Sequence, residues 1–263
     1  MQLKNQIAHK WNGVISMDAT YIQESIEQFK TNIFMHVRHR TLLRYVGTPV
    51  LNENQLFYLL LPFLNGETWN DQIGESAITV GIVHASLNEH DKINENNATT
   101  KEQQLTVLSG DYYSGRYYEI LAQVGNIPLI KQLSEGIANR CEHQIKVYES
   151  NSYSLDEWYE TISVIQTELI KRFYQVYGFE QYSTFLHTDL LLQQLQKEMQ
   201  HIQDGHYSSI MRKMSDSALA DGKSLEQELQ NKIDALKDLL DENLRSSILK
   251  DELKLYIKQK VAF

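Results

Sequence analysis

The sequence predicts an all-α fold, and three observations lead to this prediction. Apolar residues recur at spacings of three and four along most of the 263-residue chain, as in amphipathic helices. Only 12 glycines and three prolines occur, too few for the many tight turns of an all-β protein. Hydrophobic residues make up 42% of the chain, enough for one large helical core. We therefore expect a helical bundle with additional helices at its C-terminal end.

The N-terminal part of the chain predicts two helices. Asp18 is a plausible N-cap for the first helix, which Gly-Thr-Pro at residues 47–49 should end. Its inward-facing stripe comprises Ile22, Ile26, Phe29, Ile33 and Val37. A short and very apolar helix begins at Asn52 or Asn54, and Pro62 should kink or end it.

A longer helix should begin at Asp71 and reach the His-Asp pair at residues 90–91. Its predicted inward-facing residues are Ile73, Ala77, Val80, Val83 and Leu87. The polar residues 94–104 are typical of a loop. The next helix should span about residues 104–123.

Turn and cap residues divide the middle of the chain into two more helices. Gly-Asn at residues 125–126 should end the preceding helix, and proline at the first turn favours a new helix over residues 128–149. Ser154 and Glu157 have the spacing of a capping box. The helix that they start should end near Gly178.

The C-terminal part predicts two or three further helices, with breaks near residues 204–205 and 221–222. The last segments are charged and amphipathic, at residues 223–240 and 242–261. We divide the chain into a main helical domain, residues 1–205, and an amphipathic helical tail, residues 206–263, that packs on it or extends from it.

Composition and charge exclude several classes of function. The formal net charge of −9 disfavours nucleic acid, whose phosphates require a basic surface. A basic cluster at residues 36–44 is interpreted as a solvated helix face. The single cysteine, Cys141, is predicted to be a small buried residue in a reducing compartment. No signal peptide is evident and the longest apolar run, residues 56–61, is too short to span a membrane, so we expect a cytoplasmic protein.

One polar segment carries the residues of chemical interest. Asp91 and Glu95 are one helical turn apart, so both carboxylates could reach one cation if the helix extends that far. Lys92 between them places an ammonium group where it repels a metal ion. His84 and His90 are six residues apart and do not share a helix face, unlike the histidine pair of a zinc-binding helix. We favour a packed His84 beside a polar helix end.

A second block, residues 104–115, combines small residues with tyrosines. Gly110 and Ser114 are one turn apart and would let another helix approach closely. Tyr113 and Tyr117 flank them and offer a large contact area with few rotatable bonds, which is typical of interfaces. An ordinary core stripe explains the same pattern, so composition alone leaves both interpretations open.

Together these blocks resemble the all-α prenyl diphosphate synthases over about residues 72–177. In that family a histidine is followed, after five residues, by His-Asp-Asp-x-x-Asp, whose carboxylates hold Mg²⁺ against an allylic diphosphate. The two histidines and Asp91 match this motif, whereas Lys92 replaces its second aspartate and Glu95 its third. The family also carries an apolar run that ends in Gly-Asp-aromatic, which this chain has at residues 105–113.

Other elements of the family are missing. The basic Gly-Lys-Arg has no counterpart at residues 45–50, and the later Lys-Thr is matched only by Gln-Thr at residues 166–167. No Asp-Asp pair occurs in the chain, and the nearest candidates for a second motif, Asp189 and Asp204, supply one carboxylate each. These losses imply a chain that is inactive alone. It resembles the small, non-catalytic component I of heptaprenyl diphosphate synthases.

This resemblance implies a heterodimer with a catalytic component II. The partner would bind Mg²⁺, farnesyl diphosphate and isopentenyl diphosphate and make the side chain of menaquinone, so no catalytic residue, metal or cofactor is expected in this chain. Gly110, Tyr113, Ser114 and Tyr117 would lie at the subunit interface. Ser86 and Leu87, one turn before the first aspartate of the motif, would help to set the depth of the product tunnel.

Two alternatives stay open at this point. The chain could be a helical scaffold or regulatory protein without a prenyltransferase partner. It could also be a weakly active isoprenoid synthase that uses Asp91 and Glu95. The sequence does not fix the product length or the stoichiometry beyond a pair.

Overall fold

The structure, a computed structural model, describes residues 18–93, 100–149 and 152–261. Within these ranges it contains eleven α-helices, two short 3₁₀ turns and no strand, so the prediction of an all-α fold is confirmed. The helices are α1 (Ala19–Val37), α2 (Arg40–Tyr45), α3 (Glu53–Asn65), α4 (Asp71–Asp91), α5 (Lys101–Val124), α6 (Ile127–Ile145), α7 (Leu155–Tyr177), α8 (Ser183–Gln203), α9 (Ser209–Ala220), α10 (Leu225–Arg245) and α11 (Asp251–Lys260). The 3₁₀ turns are Lys146–Tyr148 and Glu180–Tyr182.

Several helices start where the sequence predicts. Asp18 caps α1 by accepting a hydrogen bond of 2.8 Å from a backbone N–H in the first turn. Ser154 and Glu157 form a reciprocal capping box at the start of α7. Helix α4 begins at Asp71, with Asn70 as its N-cap. All residues predicted to face inward on α1 and α4 are buried, which confirms both helical stripes.

The predicted first helix is two helices in the structure. Helix α1 ends at Val37 because Arg38 takes an extended backbone conformation. The His39 imidazole then accepts a hydrogen bond of 3.4 Å from the backbone N–H of Leu42 and caps α2. The chain therefore turns about ten residues before the Gly-Thr-Pro segment that was expected to end the helix.

Pro62 lies inside α3 and does not end it. Because proline has no N–H, the carbonyl of Tyr58, one turn earlier, loses its helical hydrogen bond. The hydroxyl of Tyr174, on α7, donates to that carbonyl at 2.6 Å instead. The helix continues to Asn65, so of the two predicted effects of proline, ending the helix does not occur and a kink stays a prediction. A side chain from another helix satisfies the free carbonyl.

Two further boundaries differ from the sequence prediction. Helix α5 begins at Lys101 with Thr100 as its N-cap, so the predicted loop 94–104 is too long at its C-terminal end. Residues 94–99 of that loop lie outside the described residues. Helix α10 continues to Arg245, and the break falls at residues 246–250 instead of the predicted position near 241.

The helices pack around one core. The most extensive contacts join α4 to α5 and α6 to α7, and α8 packs against both α7 and α10. The buried stripe of α10 comprises Leu225, Leu229, Ile233, Leu236, Leu240 and Leu244. Buried residues on both sides of the predicted boundary at residue 205 belong to the same hydrophobic core. No helix in the described ranges has the length and apolar character needed to cross a membrane.

Candidate functional site

The end of α4 carries the first candidate residues, and each carboxylate there is paired with a cation of the same chain. The guanidinium group of Arg140, on α6, donates a hydrogen bond of 2.5 Å to the Asp91 carboxylate. The Arg140 side chain is almost fully buried, with 4% of its surface exposed. A buried guanidinium group is stabilised by such a pair and strongly destabilised without it. Asp91 is therefore committed to an internal partner.

Lys92 forms an ion pair in this arrangement, with its ammonium group 2.6 Å from the carboxylate of Glu89. Glu89 is fully buried, and its second oxygen accepts a hydrogen bond of 3.3 Å from the hydroxyl of Ser109, on α5. Sequence reasoning missed Glu89, although an acidic residue three positions before a lysine on a helix signals such a pair. Lys92 thus neutralises a buried charge of the chain.

The histidines of this segment have structural positions. His84 is buried, and burial, together with the nearby Arg140 guanidinium group, lowers the pKa of its imidazole to about 3. His84 is therefore neutral at physiological pH, and the prediction of a packed side chain is confirmed. His90 lies at the helix end, with its ring 3.6 Å from the carboxylate of Asp111.

The donor set at the end of α4 does not fit Mg²⁺. A magnesium site needs several free oxygen ligands in octahedral geometry. Here Asp91 and Glu89 each contact a cationic side chain, and no group of three or more potential metal ligands occurs in the described residues. Glu95, the third member of the degenerate motif, lies outside those residues.

The second candidate carboxylate, Asp189, lies on α8 in a different environment. It is buried and accepts a hydrogen bond of 2.8 Å from the hydroxyl of Tyr58, on α3. Burial raises the pKa of Asp189 to about 6, against the opposing effects of hydrogen bonds from Gln193 and Tyr58. This carboxylate is tied to neutral partners and does not reach a cluster of acids.

A cavity of about 300 Å³ lies beside this part of α8. Its wall is formed by Val50, Leu51, Asn52, Asn54, Gln166, Leu190, Gln193, Gln194 and Lys197. The polar part of this wall consists of amide side chains and one ammonium group, and it includes no carboxylate. Neutral amides and a lysine bind a divalent cation poorly, so this cavity offers no second magnesium site.

The residues predicted for an interface lie mostly inside the chain. A Cβ atom placed on Gly110 would stand 2.6 Å from the imidazole of His90, so the helix that approaches this glycine closely is α4 of the same chain. The Ser114 hydroxyl donates a hydrogen bond of 2.8 Å to the Ser86 hydroxyl, whose own proton goes to the Gly110 carbonyl. Tyr113 is 2% exposed, and burial raises its pKa to about 12. An interface role for these residues stays a prediction.

Ser86 and Leu87, predicted to help set the depth of a tunnel, occupy the contact between α4 and α5. The Ser86 hydroxyl donates a hydrogen bond of 2.9 Å to the carbonyl of Gly110 and is buried. Leu87 is 9% exposed and belongs to the core. Their influence on product length stays a prediction, and enlarging Ser86 would also strain the contact between the two helices.

The outer face of α5 carries a stripe that sequence reasoning did not single out. The exposed residues on it recur at spacings of three and four, and they are Leu108, Asp111, Gly115, Tyr118 and Ala122. Leu108 and Tyr118 are 55% and 52% exposed. A Cβ atom on Gly115 would meet nothing within 4 Å, so the free small-residue position is Gly115 and not Gly110. The same helical spacing, read for the opposite face, could have found this stripe.

Comparison with solved structures shows that this bundle shares its fold with isoprenoid synthases. Geranylgeranyl pyrophosphate synthase from Lactobacillus brevis matches with a TM-score of 0.63 at 13% identity, covering 92% of this chain and 96% of that one. An isoprenoid synthase family member from Thermotoga neapolitana matches with a TM-score of 0.63 at 12% identity, covering 89% of this chain and 95% of that one. Decaprenyl diphosphate synthase from Rhodobacter capsulatus matches with a TM-score of 0.62 at 12% identity, covering 93% of this chain and 97% of that one. At such identities the likeness establishes the fold alone.

Comparison of sequences identifies the family. A curated relative, heptaprenyl diphosphate synthase component 1 from Geobacillus stearothermophilus, is 26% identical over 151 residues, which are 57% of this chain and 69% of that protein. The family described as heptaprenyl diphosphate synthase (HEPPP synthase) subunit 1 matches residues 39–245. Because this match spans most of the chain, the protein belongs to the heptaprenyl diphosphate synthase subunit 1 family.

Proposed function

We propose that this chain is the non-catalytic subunit of a two-chain heptaprenyl diphosphate synthase. It would support a catalytic partner, component II, and help to determine the length of the product. The observation that carries this proposal is the pairing of Asp91 with Arg140 and of Glu89 with Lys92. The chain uses its own cations where an active enzyme of this fold would need carboxylates free for metal ions.

The chemistry of prenyl transfer explains why this pairing matters. A diphosphate leaving group develops large negative charge, which divalent cations held by several carboxylates must neutralise. The Asp91 carboxylate is paired with Arg140. Asp189 is buried against Tyr58 and does not form the second cluster of free carboxylates that the reaction requires. Activity would therefore come from the partner.

Under this proposal the partner supplies Mg²⁺ binding and both substrates, farnesyl and isopentenyl diphosphate. The product would serve as the side chain of menaquinone, and the complex would form in the cytoplasm. The name of the curated relative, component 1, supports a second component in that relative's enzyme. This chain would contribute a folded helical surface and no catalytic residue.

The outer stripe of α5 is the surface that we assign to the partner. Leu108 and Tyr118 expose large apolar and aromatic groups on either side of Gly115, where no side chain fills the space. Aromatic groups around a small-residue position suit close helix packing between chains. This surface is independent of Gly110, whose neighbour is His90.

Two matched variants test the proposal in a co-expression experiment with the Asp-rich prenyltransferase of the same organism. In Gly115→Leu the new side chain faces open space and replaces a helical glycine, so the free energy of unfolding should stay equal or rise by about 0.8 kcal/mol. The same variant should no longer co-purify with the partner. Gly110→Leu collides with the His90 ring and should lower the free energy of unfolding by about 2 kcal/mol.

The readouts are co-purification, urea denaturation and polyprenyl diphosphate formation by each chain and by the mixture. We expect product only from the mixture. Elongation by this chain alone would support the weak-synthase alternative and refute the proposal. A stable Gly115→Leu variant that still binds the partner would refute the assigned surface, and absence of any partner activity would favour a helical scaffold.

A further inference from the structure

A positively charged surface lies at the corner between α1 and α2, in a chain that is acidic overall. No aspartate or glutamate occurs from Gln28 to Asn52, although 34 of the 263 residues are acidic. This stretch contains Arg38, Arg40 and Arg44, all of which are exposed. The local charge is therefore opposite to the net charge of −9.

These three arginines form no ion pair with any residue in the described ranges. Most arginines elsewhere in the chain form ion pairs. Four of its five other arginines contact a carboxylate, namely Arg116, Arg140, Arg172 and Arg245. Without a carboxylate partner in these ranges, the three charges of the corner are available to an external anion.

An exposed aromatic ring lies among these charges. The ring of Tyr45 is 45% exposed, with the Arg44 guanidinium carbon 5.6 Å and the Lys101 ammonium nitrogen 4.9 Å from its centre. Lys101, at the start of α5, therefore belongs to the same surface. We call the set Arg38, Arg40, Arg44, Tyr45 and Lys101 the basic patch. Met35, on the last turns of α1, adds an apolar side chain that is 57% exposed.

We propose that the basic patch binds the surface of an anionic phospholipid bilayer. Arginine and lysine supply attraction to lipid phosphates, and a tyrosine suits the boundary between headgroups and acyl chains. The choice of a membrane over an acidic protein rests on the proposed function. A product with seven isoprene units is strongly apolar and has to leave the enzyme for a bilayer, so an enzyme held at that surface avoids transfer through water.

The net charge of the chain does not prevent this contact. At physiological ionic strength the electrostatic potential decays over about 8 Å, so only charges near the bilayer contribute. Acidic side chains on α5 are partly engaged by other groups. Glu119 pairs with Arg116, Asp111 lies beside His90, and Glu102 follows Lys101 in the first turn of α5.

The test is co-sedimentation of the full chain, without any partner, with two kinds of vesicles. One kind is phosphatidylcholine alone, and the other contains about one-third phosphatidylglycerol. We expect binding to the anionic vesicles only, with a partition coefficient that falls as salt rises. The variant Arg38→Gln/Arg40→Gln/Arg44→Gln should bind on the order of 100-fold more weakly, since each basic residue contributes about five-fold.

A matched control removes the same charge elsewhere, as Arg212→Gln/Lys223→Gln/Arg245→Gln, and should bind within about two-fold of the unchanged chain. Circular dichroism of each variant checks that the helices are retained. Equal binding to both vesicle types, or undiminished binding of the patch variant, overturns the proposal. Loss of partner capture by the patch variant, without vesicle binding by the unchanged chain, would assign the patch to a protein contact instead. The measurement needs no partner, so its result is independent of the proposed function.

Discussion

The end of α4 and the middle of α8 each carry a buried or partly buried carboxylate, yet the chain stabilises the two by different means. At the end of α4, Asp91 and Glu89 are matched by the charges of Arg140 and Lys92. On α8, no cation among the described residues lies within hydrogen-bonding distance of Asp189, which neutral groups hold in a buried site. The first region depends on charge pairs, and the second depends on the protonation state of one acid.

This difference illustrates two ways in which a folded chain accommodates a carboxylate that is removed from water. Such a carboxylate either pairs with a cationic side chain or becomes easier to protonate. The first solution is sensitive to charge reversal, and the second is sensitive to pH. Each sensitivity can be measured on the isolated chain.

The largest effect is expected from reversing a charge at the end of α4. In Lys92→Asp the buried Glu89 loses its ammonium partner and gains a like charge, so we expect a loss of about 3 kcal/mol in the free energy of unfolding. Urea denaturation at neutral pH measures this loss. No prenyl transfer should appear, because Asp189 remains isolated.

The matched control for that experiment is Lys254→Asp, which removes a pair with the highly exposed Asp251. Its cost should stay below about 1 kcal/mol. The double variant Glu89→Gln/Lys92→Asp should regain part of the lost stability, since it removes the stranded charge. Equal costs for the two single variants would show that the Glu89 pair does not hold the helix end.

A smaller and pH-dependent effect is expected on α8. The unfolded-state pKa of aspartate is about 3.9, and that of folded Asp189 is about 6, so between these values the folded state binds more protons. Stability due to this group is therefore greatest below pH 4 and is lost as the pH rises to 6. Asp189→Asn should remove this dependence and be about 3 kcal/mol more stable than the unchanged chain at pH 8.

Unfolding curves from pH 4 to pH 8 test this expectation. The asparagine keeps an oxygen that can accept the Tyr58 hydroxyl hydrogen bond, so the packing of α3 on α8 should be preserved. Asp241→Asn serves as a control, because its carboxylate pairs with Lys258 and Arg245 and has a lowered pKa. If Asp189→Asn is less stable than the unchanged chain at pH 8, the carboxylate is stabilising in its ionised form.

The smallest effect is expected from Mg²⁺. Since the carboxylates of both regions are engaged, millimolar Mg²⁺ should shift the unfolding temperature of the isolated chain by less than about 1 °C. Scanning calorimetry with and without Mg²⁺ measures the shift. A saturable rise of several degrees in the unfolding temperature would reveal a metal site. It would contradict the inference that the carboxylates of both regions are unavailable to Mg²⁺.

Local features of the fold could be predicted from the sequence. The cap at Asp18, the capping box at Ser154 and Glu157, and the inward stripes of α1 and α4 were all predicted, because each depends on residues within a few turns. These properties are set by short-range chemistry and helical spacing.

The partners that complete the candidate site could not be predicted in the same way. Arg140 is 49 residues from Asp91, and Tyr58 is 131 residues from Asp189. Such pairs depend on how helices cross, which spacing along one helix does not specify. The neighbour of Gly110 could not be predicted for the same reason. The sequence indicated that another helix packs closely against this glycine, but not that the contact is with His90 of the same chain.

The contact between the last helix and the first has a consequence for how the chain folds. The hydroxyl of Tyr256, on α11, bonds to Gln23 on α1 across 233 residues, and its ring lies 5.0 Å from that of Phe57 on α3. Contacts between such distant segments slow folding, since a long loop must close before they form. During synthesis the surface of α1 and α3 that α11 covers stays exposed until α11 has left the ribosome. We therefore expect any two-chain complex to assemble after α11 has been synthesised.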